Sequence, residues 1–215
     1  MQGLGFASAV SPVFEPGEPG ASEFLSRHLQ RFHTHPYLAA PIIGSVTRLE
    51  AENRSQETAD LKNALMGPYA AIGDSFFWGA LKPISGIAAV CLAIKGSLLA
   101  PLILLALYSP AHLWVRVRGF LAGWQQGKMA IEFVRGLDLP AQSRRIRWCS
   151  AVLLGVAGWL ASAAGQSAGL LPPGMPGLAG GLLVILASFL AVRKGLPPLA
   201  ILYGSVILFT VMMSS

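Results

Sequence analysis

Residues 66–84 read MGPYAAIGDSFFWGALKPI, an apolar stretch that holds Asp74, Ser75 and Lys82 and is punctuated by Gly and Pro. A soluble amphipathic helix gathers its polar residues on one stripe and carries no Gly-Pro pair inside. A plain transmembrane helix is about 20 apolar residues with few or no charges. The stretch fits neither description. It predicts a broken or re-entrant membrane segment with polar groups at its bends. Irregular backbone is tolerated at membrane depth only where protein buries it or a watery cavity touches it. In transporters, interrupted helices of this kind line the substrate site.

The rest of the chain places that stretch in a membrane protein. Of the 215 residues, 53% are hydrophobic and 12% charged, where a soluble domain has about 25% charged. Mean hydropathy is +0.57. The length fits one domain or a compact pair. The net charge of +6 lies beside apolar spans, so it marks cytoplasmic flanks of membrane helices rather than a nucleic-acid surface. Cys91 and Cys149 lie in or beside apolar runs, far apart, and read as small buried hydrophobes. No phosphate-binding GxxxxGK[ST] loop, GxSxG elbow or CxxC pair occurs.

Taken in order, residues 1–46 predict an N-terminal interfacial segment. A short amphipathic helix follows from Ser22 as N-cap, with Phe24, Leu25, Leu29 and Phe32 on one face. His33 and His35 flank Thr34, but zinc needs three or four protein ligands and no third is nearby. No metal is expected. His35 reads either as a buried histidine at the turn before Pro36 or as a polar ligand contact. Residues 47–65 are the most polar run and predict a solvated cytoplasmic helix and loop, with a Glu50–Arg54 pair at i,i+4.

Residues 66–127 predict a re-entrant core. It is interrupted at Lys95-Gly96 and Pro101, best read as two shorter helices with Lys95 at their shared membrane edge, and it closes at residues 109–112. Gly119, Gly123 and Gly127 form a small-xxx-small stripe, open to another chain or to a helix of this one. Residues 128–147 are a basic cytoplasmic segment, ending in Arg144, Arg145 and Arg147. Residues 148–215 predict three transmembrane helices over 148–171, 178–192 and 196–213. Their uncharged turn at 172–177 faces outward and Arg193-Lys194 faces the cytoplasm.

The run LMGPYAAIGDSFFWGALKPI resembles the signature of the IID membrane component of mannose-class sugar phosphotransferase systems. So does FHTHPYLA at residues 32–39. The opening MQGLGF and the later His112-Leu113-Trp114-Val115-Arg116 with Gly123 and Gly127 fall in the family's order. His33 stands where the family usually has Asn.

The resemblance implies an all-α, polytopic protein of the bacterial inner membrane. It implies a permease subunit that binds and translocates a hexose together with a IIC subunit, while soluble IIA and IIB components carry phosphate. It implies no cofactor and no enzyme activity of the chain alone. A sugar site needs hydrogen-bonding groups in apolar surroundings, with an aromatic face. The motifs supply Thr34, His35, Asp74, Ser75 and Trp78 as substrate-binding candidates. Asp74 is the only acid between Asp60 and Glu132. An unpaired charge among apolar neighbours is costly, so Asp74 is expected to be paired, hydrogen-bonded or protonated, with Lys82 as the nearest partner. The alternative function is a non-transporting scaffold or receptor of the same fold.

Overall fold

The computed structural model describes residues 2–13, 20–169 and 186. Among them the regular structure is helical throughout. The helices are α1 (Gln2–Val10), α2 (Ala21–His28), α3 (Ala39–Ala51), α4 (Ser55–Gly73), α5 (Lys82–Ile94), α6 (Ala100–Gln126), α7 (Ala130–Gly136) and α8 (Leu139–Ser167). A compact unit extends to Leu154, and a second begins at Gly155. The spans expected over 178–192 and 196–213, and the turn at 172–177, lie outside the described residues.

Helix α3 is the centre of the first unit. Ile42, Val46 and Leu49 recur at i, i+4 and i+7 and are fully buried. Around them pack Phe6 and Val10 of α1, Phe24 of α2, and Phe76 and Phe77. The closest approach is to α6, and glycine makes it. A Cβ on Gly44 would strike the carbonyl oxygen of Phe120. One on Gly119 would lie 2.7 Å from Pro41 Cγ, and one on Gly123 would lie 2.6 Å from the Ser45 nitrogen. The small-residue stripe is therefore spent on this chain's own α3.

Side chains of α3 also finish α6. Ser45 Oγ lies 2.9 Å from the Gly127 carbonyl, and Arg48 Nη1 donates to the carbonyls of Trp124 (3.1 Å) and Gln125 (2.6 Å). These are carbonyls that a helix C-terminus leaves unpaired. Gly127 itself turns the chain at φ 57, a conformation that favours glycine.

Four local expectations change. Cys149 is exposed and Cys91 only half-buried, so neither is the small buried hydrophobe expected. Helix α2 starts at Ala21 behind Gly20, whose φ is 98, and no side chain caps it, so Ser22 is not the N-cap. The chain does not close at residues 109–112, because α6 runs on through Pro110 to Gln126. Glu50 does not pair with Arg54: it faces the core, and Arg54 pairs with Glu52 and Glu57.

The buried Glu50 organises a polar hub. Its Oε1 accepts from His28 Nε2 at 2.9 Å and Thr58 Oγ1 at 3.0 Å. Its Oε2 accepts from Arg27 Nη2 and Ser55 Oγ, both at 3.2 Å. Lys62, also buried, donates to the Arg27 carbonyl at 2.9 Å and lies over the Phe6 ring. The run that reads as the most polar in the sequence thus ties α2, α3 and α4 together from inside.

Two helical runs, Ser55–Ile94 and Ala100–Ser167, are long and apolar enough to cross a membrane by length and composition. Between them the chain turns at Lys95 and Gly96, where Gly96 has φ 72. Next to the turn Leu98 is 93% exposed, and Leu99 and Leu102 are also exposed. Contiguous apolar exposure of this kind marks a lipid or protein surface.

Candidate functional site

The signature stretch keeps its expected irregularity in one place. Helix α4 passes through Gly67-Pro68 and leads into a π-helix, Asp74–Leu81, which continues into α5. The i to i+5 pattern is seen where the Lys82 N–H reaches the Phe77 carbonyl. Wider winding is rare and occurs often at functional sites. The break is therefore a change of winding rather than a bend at Gly or Pro.

The HTHPYLA segment lies against this winding change. His35 is buried and stacks on Phe77, with ring centroids 5.1 Å apart and planes 16° apart. It meets Tyr37 and Trp78 edge-on at 4.9 and 5.0 Å. Its Nδ1 accepts the Tyr37 backbone N–H at 3.3 Å, which places the ring proton on Nε2. That Nε2 is buried without a hydrogen-bond partner among the described residues. Burial lowers the His35 pKa; Asp74 opposes this and Arg116 adds to it.

Gly73 makes the contact fit. A Cβ there would collide with the His35 ring, lying 2.9 Å from Nδ1. Gly73→Ala should therefore push His35 off Phe77 and cost about 1–3 kcal/mol, the usual range for overpacking. Melting of the purified protein reads the effect. A parental melting temperature would mean that His35 does not rest on Gly73.

Thr34 is held by the N-terminal helix. Gln2 Oε1 accepts the Thr34 N–H at 2.8 Å, and Gln2 Nε2 donates to the Thr34 carbonyl at 3.1 Å. Thr34 Oγ1 is buried and, among the described residues, unpartnered. The remaining candidates sit differently. Asp74 is exposed and, among the described residues, makes no ion pair with Lys82. Trp78 is 52% exposed. Ser75 is taken by Arg147, whose Nη2 donates to Ser75 Oγ at 2.9 Å and to its carbonyl at 3.2 Å. The structure thus gathers Thr34, His35, Asp74 and Trp78 around one feature, and gives Ser75 an internal partner.

Sequence reasoning missed the supporting ring. Tyr37 stacks on His112 with centroids 4.5 Å apart, and its hydroxyl lies 3.1 Å from that of Tyr108. Arg116 covers the Tyr37 face at 5.0 Å. Tyr108, His112 and Arg116 follow one another at i, i+4 and i+8 on α6. The periodicity was visible, but it is hidden once a break is expected at residues 109–112. His33 is exposed while His35 is buried, so the two imidazoles diverge. Among the described residues no three His, Cys, Asp or Glu side chains converge on a metal-sized site.

Known proteins bear on this geometry. Residues 1–162 match the family model of the PTS system mannose/fructose/sorbose family IID component. The mannose-specific EIID component of Escherichia coli K12 is 33% identical over 137 residues, covering 59% of this chain and 48% of that protein. The fructose permease IID component of Bacillus subtilis 168 is 32% identical over 145 residues, covering 63% and 53%. The chain spans about half the length of the curated relatives it matches. A solved membrane protein aligns with TM-score 0.75 at 24% identity, over all of this chain and 88% of that one. The mannose transporter ManYZ, solved with a bound microcin, aligns with TM-score 0.56 at the same identity and coverage. These two likenesses carry the fold, and the family match carries the assignment. The chain belongs to the mannose/fructose/sorbose family of phosphotransferase-system IID components.

Proposed function

We propose that the chain is a permease subunit that binds and translocates a hexose together with a IIC subunit in the bacterial inner membrane. In this reading the chain crosses the membrane several times, and IIA and IIB components supply phosphate to the sugar elsewhere in the complex. The observation that carries it is the pair of buried, unpartnered polar atoms, Thr34 Oγ1 and His35 Nε2, beside the exposed Asp74 and Trp78. Buried polar groups are nearly always hydrogen-bonded, so groups left open ask for a ligand or a neighbouring subunit. A carboxylate beside an indole face suits sugar hydroxyls and the apolar face of the ring. The relatives' names point to mannose, fructose and sorbose. Movement of one helical bundle against another about the site would carry the sugar across.

The test is Asp74→Asn in a complex co-expressed with IIC. The change keeps size and most hydrogen bonding and removes the charge. Assembly should be normal and sugar binding should weaken by about 1–3 kcal/mol, the scale of a hydrogen bond to a charged group. Unchanged affinity in an intact complex would remove Asp74 from the ligand set. Failure to assemble would make Asp74 a subunit contact instead.

A further inference from the structure

A cavity of about 510 Å³ lies where the start of α8 meets the π-helix. Ser75 lines it from one element, and Ser143, Arg144, Arg147, Trp148 and Ala151 line it from the other. The spacing i, i+4, i+8 puts Ser143, Arg147 and Ala151 on one face of α8, with Arg144 and Trp148 beside them. Among the described residues no acid lines the cavity. Arg147 spends one nitrogen on Ser75; a guanidinium has five N–H donors in all. Arg144 has no hydrogen-bond or ion-pair partner among the described residues. Two guanidinium groups thus flank an open cavity that holds no counter-charge among the described residues.

The cavity also stands at the polar end of an apolar surface. From Trp148 to Ser167 helix α8 has no charged residue. Trp148 is 73% exposed, and Val152 and Leu154 are exposed after it. Basic residues followed by Trp and then an uncharged helix describe the headgroup level of a membrane. A ligand that answers both features has an anionic head and a hydrocarbon tail.

We propose that this cavity binds an anionic phospholipid, with the phosphate held by Arg144 and Arg147 and the acyl chains lying along Trp148 and Val152. Guanidinium forks match phosphate oxygens in geometry and charge. Anionic lipids of the cytoplasmic leaflet are drawn to basic groups at its surface. The inference rests on the chain being a membrane protein and not on the hexose reading. It has one structural corollary: Arg147 serves both the lipid and Ser75, so the headgroup site and the π-helix share a side chain.

The experiment titrates the purified full chain, with any co-purifying subunits, using short-chain phosphatidylglycerol, short-chain phosphatidylcholine and inorganic phosphate as separate probes. Phosphatidylglycerol should bind saturably and more tightly than either other probe. Arg144→Gln should weaken it about tenfold, the loss expected from one charged hydrogen-bonding group. This variant removes no contact seen in the fold, so its melting temperature should stay parental. Arg144→Gln with Arg147→Gln should abolish saturable binding. Arg145→Gln, outside the cavity lining, should change nothing. Equal weakening by Arg145→Gln would reduce the effect to general positive charge and overturn the site. Inorganic phosphate binding as tightly as the lipid would make the ligand a free anion. A phosphoserine peptide displacing the lipid at lower concentration would make it a protein segment. Either result overturns the lipid assignment.

Discussion

Gly44→Val is expected to prevent α3 and α6 from closing on each other. A side chain at Gly44 meets the Phe120 carbonyl and lies 3.0 Å from the Trp124 nitrogen, so the obstacle is backbone and cannot rotate aside. Overpacking ordinarily costs about 1–3 kcal/mol, and rigid neighbours put this site at or above the upper end. The same displacement would carry Ser45 and Arg48 away from the end of α6, where they satisfy open carbonyls. Gly44→Val protein should therefore be lost from membranes or run as aggregate on size exclusion. Gly44→Ala should show a milder loss of the same sign. Gly86→Ala is the control, because a Cβ there meets nothing within 4 Å among the described residues. A Gly44→Val protein that elutes and melts like the parent would mean that the two helices do not pack through this glycine.

Glu50→Ala should be comparably severe for the opposite reason, a lost partner rather than an added atom. His28, Arg27 and Thr58 would keep their buried or half-buried polar groups and lose the carboxylate that satisfies them. Breaking a buried charged network from one side costs about 3–5 kcal/mol. Glu50→Gln should fall between the parent and Glu50→Ala, since an amide can still accept from two of the donors.

The network also has a pH signature. Burial pushes the Glu50 carboxyl up, but the hydrogen bonds from His28 and Thr58 and the charge of Arg27 outweigh it, and the pKa ends below the ordinary carboxylate value. A depressed folded value stabilises the protein above the unfolded pKa, and that stability is lost as pH falls through the folded one. Between these two values the parent should lose melting temperature more steeply than Glu50→Gln as the medium is acidified. Parallel curves would show that Glu50 is not the group responsible.

Motif and membrane character were legible in the sequence because each rests on local chemistry. The apolar composition and the turn at Lys95-Gly96 could be read from residue order, and the two motifs HTHPYLA and GDSFFWG from their resemblance to the family. The parts that resisted depend on which neighbours arrive from far along the chain. Glu50 looks solvated beside Arg54 and Glu57, and becomes buried because α2 delivers His28 and Arg27 onto it. Asp74 looks buried among aromatics, yet its side of the winding change is open. Pro110 looks like a stop, and α6 carries it. The glycine stripe on α6 could have served another chain, and only the position of α3 assigns it. Ser75 could have been a free ligand group until Arg147, far along the chain, claimed it.

The π-helix sets a length as well as a composition. An α-helix turns by about 100° per residue. Wider winding over Asp74–Leu81 therefore rotates everything after it relative to everything before it. Helix α5 presents to α6 a side that ordinary winding would have aimed elsewhere. Removing one residue from this segment would relax the backbone into regular α-helix and improve its hydrogen bonds. It would also turn Lys82 and the rest of α5 out of phase with Gly73 and His35. The segment is thus a mechanical spacer in angle, and its residue count carries information that no single side chain in it does.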